Sequence, residues 1–245
     1  MGLVRDAIVE TTGGSLVGLY VYGSLAAGGF EPHVSDIDLI AVLDDVPDAT
    51  LVSRLRRMHA RLAEDHPAWD DRVEVDYVST RGLAECRTST TTIARVSPGE
   101  PLHVLEAGRD FLLDWYPARR DGVAVVGPPL DSLIPPTPES EYRDEVRTYL
   151  AGFRARFDED ADVGSQAYAV LTMCRGFYSL TARERLSKRQ AGLRIRQDFP
   201  QWDALIDRAL RWRERQRDPE QPDGSAFIAE TRAFIDEMAG RLDLP

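Results

Sequence analysis

A chain of 245 residues can bury one large core or two ordinary ones, and with 43% hydrophobic and 29% charged residues it has the composition of an ordinary globular protein, with no long disordered segment expected. A formal net charge of −11 argues against nucleic acid as the main partner, because phosphate binding needs a basic footprint. Two cysteines, Cys86 and Cys174, are too few for a zinc site or a disulfide framework, and no run approaches the roughly eighteen apolar residues of a membrane span.

In chain order, Leu3 to Thr11 reads as a short helix and Leu16-Val17-Gly18-Leu19-Tyr20-Val21-Tyr22 as a buried strand. Gly23-Ser24 follows at once, a turn where small residues let backbone N–H groups approach phosphate oxygens and where Ser24 adds a hydroxyl. Gly28-Gly29 and Pro32 mark a second turn, and His33 lies in it. Next comes Ile37-Asp38-Leu39-Ile40-Ala41-Val42-Leu43, a nearly continuous apolar run of the kind seen in a strand covered on both sides. Asp36 and Asp38 open this run and, two residues apart, point to one face.

A helix from about Asp48 to Asp65 carries Leu51, Leu55, Met58 and Leu62 on one stripe. The strand Arg72 to Ser79 supplies Glu74 as a third carboxylate, with Asp76 at the same parity as its rival. Thr88 to Thr92 reads as a hydroxyl-rich polar loop. A helix around Arg109 to Arg120 and a short strand Val123 to Val126 close the first half. Pro128 to Pro138 holds five prolines and reads as a semi-rigid connector.

After Pro138 the pattern becomes helical throughout. Tyr142, Val146, Tyr149, Leu150 and Phe153 form one stripe, Val170, Leu171, Cys174, Phe177 and Tyr178 another, with two more around Leu205 and Phe234. The expected fold class is α+β, with a mixed sheet and flanking helices in residues 1–127, the connector in 128–138, and an all-α bundle in 139–245.

Three carboxylates on strands beside a Gly-Ser turn suit magnesium-dependent nucleotidyl transfer, in which charge builds on the triphosphate under attack. Tyr22-Gly23-Ser24 and Ser35-Asp36-Ile37-Asp38-Leu39 resemble the signature of the DNA polymerase β nucleotidyltransferase superfamily. A longer resemblance, to bacterial aminoglycoside adenylyltransferases of the streptomycin/spectinomycin type, takes in Pro32-His33, Val125-Val126-Gly127-Pro128, Val170 to Arg175 and Phe177-Tyr178-Ser179.

The resemblance implies Asp36, Asp38 and Glu74 as ligands of two magnesium ions, with Glu74 also the catalytic base. It implies Gly23, Ser24 and Ser35 as triphosphate contacts, and Arg175 and Lys188 as a basic pair that closes on ATP from the helical domain, so that the site lies between the domains. Trp212 falls near a family tyrosine that packs by the nucleotide. About ten residues before the arginine the family has an acid facing the drug, where Ser165 stands here, and the family tryptophan just upstream is missing from Arg156 to Ser165.

The expected reaction is transfer of AMP from ATP to a hydroxyl of a small cationic acceptor, an aminoglycoside. The rivals are another small molecule, a protein side chain, or a nucleotide sensor without turnover. Acidity suits a cationic acceptor, and Asp158, Glu159, Asp160 and Asp162 are candidates to meet it or simply to cap a helix. The early acid Asp6 and the lack of an apolar N-terminal core give a cytoplasmic expectation, with no membrane or nucleic-acid partner and the oligomeric state left open.

Overall fold

The computed structural model describes residues 2–67, 71–158, 160–216, 218, 220 and 222–244. The chain divides into two compact units, Met1–Pro138 and Glu139–Pro245.

The first unit is a six-stranded mixed sheet flanked by helices. Its elements are α1 (Gly2–Thr12), β1 (Leu16–Tyr22), the single turn α2 (Gly23–Ala26), β2 (Ile37–Leu43), α3 (Ala49–Asp65), β3 (Val73–Ser79), α4 (Thr80–Glu85), β4 (Thr91–Ser97), β5 (Glu100–Ala107), α5 (Leu112–Asp121) and β6 (Val123–Val126). Strand order is β5-β4-β3-β2-β1-β6. Among the described residues only β2 and β3 pair in parallel, so they need a crossover, and α3 supplies it. Asp48 starts that helix by accepting the Leu51 N–H at 2.7 Å.

Period-two alternation sorts the strands into two cores. Leu39, Ala41, Leu43, Val75 and Tyr77 pack under Val4 and Ile8 of α1 and Val52 and Leu55 of α3. Tyr20, Tyr22, Ile40, Val42 and Val78 face the other way, onto Leu112, Trp115 and Ala118 of α5. Asp38, Glu74 and Asp76 share the parity of this second face.

Two readings of the sequence change. The polar loop read from Thr88 to Thr92 ends earlier, because Thr91 and Thr92 already belong to β4, which forms a hairpin with β5; Ile93 and Ala94 are buried, and the turn at Pro98-Gly99 is followed by Leu102 and Ala107 in the core. Residues 128–138 group with the first unit rather than forming a spacer. Tyr20 donates its hydroxyl to the Pro128 carbonyl at 2.8 Å, and Leu130 and Ile134 are buried in the α5-side core, with one 3₁₀ turn at Leu130–Ser132.

The second unit contains α6 (Glu139–Arg156), α7 (Val163–Thr181), α8 (Lys188–Asp198), α9 (Asp203–Glu214) and α10 (Ile228–Arg241). α7 is the central helix, with Val170, Leu171, Met173 and Cys174 buried. Gly176 lets α6 approach closely, since a Cβ there would meet Leu150 at 2.4 Å. The basic run from Arg183 to Arg189 leads into α8, whose start is fixed by a capping box in which Ser187 and Gln190 satisfy each other's backbone N–H groups. No helix among the described residues is long and apolar enough to cross a membrane.

Candidate active site

Strand register assembles the acids. Tyr22 of β1 lies opposite Asp38 of β2, which lies beside Glu74 of β3; one step along, Ile40 pairs with Asp76 and Asp76 with Arg95 of β4. Asp36 sits just ahead of β2, close enough that its charge acts on Asp38.

The Gly23-Ser24 turn is built around Asp38. The Ser24 N–H donates to the Asp38 carboxylate, and Gly23, at φ +64, lies so close that a Cβ would come within 1.9 Å of Asp38 Oδ2. Only glycine combines that left-handed backbone with that approach. Asp38 has its pKa pushed up to about 8, first by burial and then by Glu74, Asp36 and Asp114. Such a carboxylate gains from a cation that restores its ionised form.

Glu74 keeps one-fifth of its side chain exposed. Its Oε1 accepts from Arg95 at 2.6 Å and lies 3.4 Å from the Tyr22 hydroxyl. Asp76 is fully buried; Trp115 Nε1–H donates to its Oδ2 at 3.2 Å, and Arg95 Nε makes an ion contact with Oδ1 at 3.1 Å that is not aligned as a hydrogen bond. Burial raises the Asp76 pKa to about 7 against the lowering by Arg95. Arg95 also reaches Asp114 at 3.6 Å and lies over the Phe111 ring at 5.1 Å. The sequence reading passed over Arg95, Asp114 and Trp115; once β4 is placed against β3, an arginine opposite an aspartate is the signal that would have found the first.

Ser35 is buried, and its Oγ accepts the Glu31 N–H at 3.0 Å, while Arg72 donates to the Pro32 and Ser35 carbonyls at 2.5 and 2.7 Å. This holds the loop before Asp36 in shape. His33 is exposed. Both cysteines are buried, and burial pushes both thiols up, Cys86 to about 11.

The remaining candidates lie on the second unit. Arg175 follows the buried Cys174 on α7 but is exposed, and its side chain makes no ion pair or hydrogen bond among the described residues. Lys188 opens α8, with its ammonium 4.0 Å from the centre of the Tyr168 ring. Trp212 leaves only 7% of its surface exposed and packs edge-on against Phe227. Of the acids near α7, Asp162 caps the helix by accepting the Ser165 N–H at 2.6 Å, and Asp158 accepts the Asp160 N–H at 3.0 Å. Glu159 lies outside the described residues.

A cavity of about 500 Å³ lies on the opposite face of the sheet, lined by Ile37, Val73, Val96, His59 and Arg56. Ile37 and Val73 adjoin Asp36, Asp38 and Glu74 in sequence but point away from them, so this space is separate from the acids.

Comparison with known proteins bears on the two domains and the fold. The family model described as the nucleotidyltransferase domain matches residues 5–97, and the model described as the C-terminal domain of aminoglycoside adenylyltransferase matches residues 132–240. A spectinomycin 9-adenylyltransferase of Campylobacter jejuni is 23% identical over 201 residues, covering 76% of this chain and 75% of that protein. An aminoglycoside (3'') (9) adenylyltransferase of Klebsiella pneumoniae is 27% identical over 178 residues, covering 67% of this chain and 65% of that protein. Among solved structures, spectinomycin adenyltransferase AAD(9) of Enterococcus faecialis, crystallised with ATP and spectinomycin, matches in fold with a TM-score of 0.76 at 16% identity over 99% of this chain and 97% of that one. Carrying a nucleotidyltransferase domain followed by the aminoglycoside adenylyltransferase C-terminal domain, the chain belongs to the aminoglycoside adenylyltransferase family of nucleotidyltransferases.

Proposed function

We propose that this protein transfers AMP from ATP to a hydroxyl group of an aminoglycoside. The observation that carries the reaction type is the strand register that sets Asp38 and Glu74 side by side, next to the Gly23-Ser24 turn. The acceptor class is supported by the second family model, over residues 132–240.

Asp36 and Asp38 are the residues proposed to hold magnesium, which when bound neutralises charge on the triphosphate. Among the described residues no three acid, histidine or cysteine side chains converge as a metal cage. Magnesium takes one or two carboxylates and completes its shell with phosphate oxygens and water. Glu74 enters the sequence reading both as a magnesium ligand and as the base. With Oε1 engaged by Arg95, it keeps Oε2 for one task, and the base role is the one proposed.

Backbone N–H groups at Gly23 and Ser24, where the chain turns beside Asp38, are proposed to hold the phosphates. Arg175 and Lys188 are proposed phosphate-binding cations of the helical unit. Glu74 takes the proton of the acceptor hydroxyl as its oxygen attacks the α-phosphorus; the bond to the β-phosphate oxygen breaks and pyrophosphate leaves. Asp76 is a poor rival base, since its carboxylate is fully buried and held by Trp115 and Arg95.

The test is acceptor-dependent pyrophosphate release from magnesium-ATP with a panel containing spectinomycin, streptomycin and other aminoglycosides. Glu74→Gln should retain ATP binding and lose about a hundredfold to ten-thousandfold in rate, the range for a general base. Turnover of none of the panel would refute the acceptor class, and a full rate in Glu74→Gln would refute the base.

A further inference from the structure

We propose that Arg95 is a positioning residue that fixes the Glu74 carboxylate for proton transfer, anchored in turn by the buried Asp76. This rests on the reading of Glu74 as the base. Three linked contacts carry it: Trp115 Nε1 to Asp76 Oδ2 at 3.2 Å, Asp76 Oδ1 to Arg95 Nε at 3.1 Å, and the terminal guanidinium nitrogen of Arg95 to Glu74 Oε1 at 2.6 Å.

The arrangement is dictated by the sheet. Asp76 and Arg95 are register partners on β3 and β4, and Glu74 is two residues away on the same face of β3. Arg95 therefore sits diagonal to Glu74, within reach of a long side chain. Asp76 is closed to solvent and to substrate; its carboxyl group, fixed by Trp115, serves to hold Arg95. The Phe111 ring beneath the guanidinium restricts its plane further.

Glu74 needs such a restraint. It has three side-chain torsions and a partly exposed end, and a base loses efficiency steeply when its oxygen is misplaced by even an ångström. Pinning Oε1 from one side leaves Oε2 as the oxygen free to meet the acceptor. A lysine in place of Arg95 would keep the charge, but a single ammonium cannot reproduce a planar fork that touches two carboxylates at once.

This role differs from a phosphate contact and from a purely structural one, and the two alternatives give different results. Arg95→Lys should lower kcat roughly ten- to a hundredfold, the size of a small misplacement of a reacting group, while calorimetric affinity for magnesium-ATP stays unchanged. In a Glu74→Gln background the same substitution should cost nothing more, because a residue that acts only through Glu74 has nothing left to act on. A crystal structure of Arg95→Lys should show the Glu74 side chain in an altered or divided rotamer, a readout that needs no acceptor.

Weakened ATP binding would make Arg95 a phosphate ligand and overturn the proposal. So would multiplicative losses in the double variant, or an unmoved Glu74 in the Arg95→Lys crystal structure. Should Arg95→Lys fail to fold, Asp76→Asn with Arg95→Met removes both members of the buried contact at once, and the same loss of kcat and the same rotamer change are expected; a wild-type kcat there overturns the proposal. If Glu74→Gln alone keeps the full rate while Arg95→Lys loses it, the base assignment fails, and Arg95 does not act through Glu74.

Discussion

At the scale of single residues, Gly23 makes the sharpest demand on identity. Its φ of +64 and the 1.9 Å that would separate a Cβ from Asp38 Oδ2 leave no room for a side chain without moving that carboxylate or unwinding the turn. Gly23→Ala should destabilise the protein by about 1–2 kcal/mol from the left-handed backbone alone. It should also lose nearly all adenylyl transfer, because the carboxylate proposed to hold magnesium is pushed out of line; thermal melting beside pyrophosphate release checks both. Full activity in this variant would mean that the turn and the acid are not coupled. The convergence of Asp38 with Glu74 beside the Gly-Ser turn was legible in the sequence because strand parity puts both carboxylates on one face. Arg95, Asp114 and Trp115 were not, since their meaning appears only when strands and a helix far apart in sequence are brought together.

Elements differed in how openly they announced themselves. β1, β2, β3 and α3 are dense in apolar residues or strongly periodic, and their limits fall within a residue or two of the reading. β4 and β5 were hidden because only part of each strand is buried, so polar residues dilute the alternation. α8 was masked by its own charge: of its residues only Ala191, Gly192 and Ile195 are buried, and the basic run at its start reads as surface. The proposed link of that run to ATP is Lys188, which begins α8 with its ammonium against the Tyr168 ring. Lys188→Ala should weaken ATP binding by roughly ten- to a hundredfold, the worth of a charge-assisted contact of about 1.5–3 kcal/mol, without lowering the melting temperature much. Unchanged calorimetric affinity would return the run to a solvated face.

For the whole molecule, one buried and two partly buried groups set an unusual response to pH. Asp38 and Asp76 hold their protons in the folded chain up to about 8 and about 7, whereas an ordinary aspartate releases its proton near 3.8. His59, beside the Tyr77 hydroxyl at 2.8 Å, is lowered by burial from 6.5 to about 4. Between pH 4 and 6.5 the folded chain therefore carries two protons on the aspartates that the unfolded chain lacks, while the unfolded chain carries one on His59. The balance favours the folded state less as pH rises, and above 6.5 the aspartates alone continue the trend toward pH 8. With divalent ions chelated, the melting temperature should fall across this window, and Asp38→Asn should flatten the fall and melt higher than the parent at pH 8. A variant that tracks the parent at every pH would show that Asp38 ionises normally. The parallel pairing of β2 with β3 has a different bearing, on changes of chain length. Asp38 and Glu74 meet because both strands keep count from opposite ends of one crossover. Residues added to the solvent side of that crossover leave the count intact, but deletion of a single residue early in either strand would turn its carboxylate into the core beneath α1 and α3 and bring leucine or valine to the face it vacated. Viable insertions and deletions in this part of the chain should therefore be confined to the connections between strands, however freely individual side chains are exchanged.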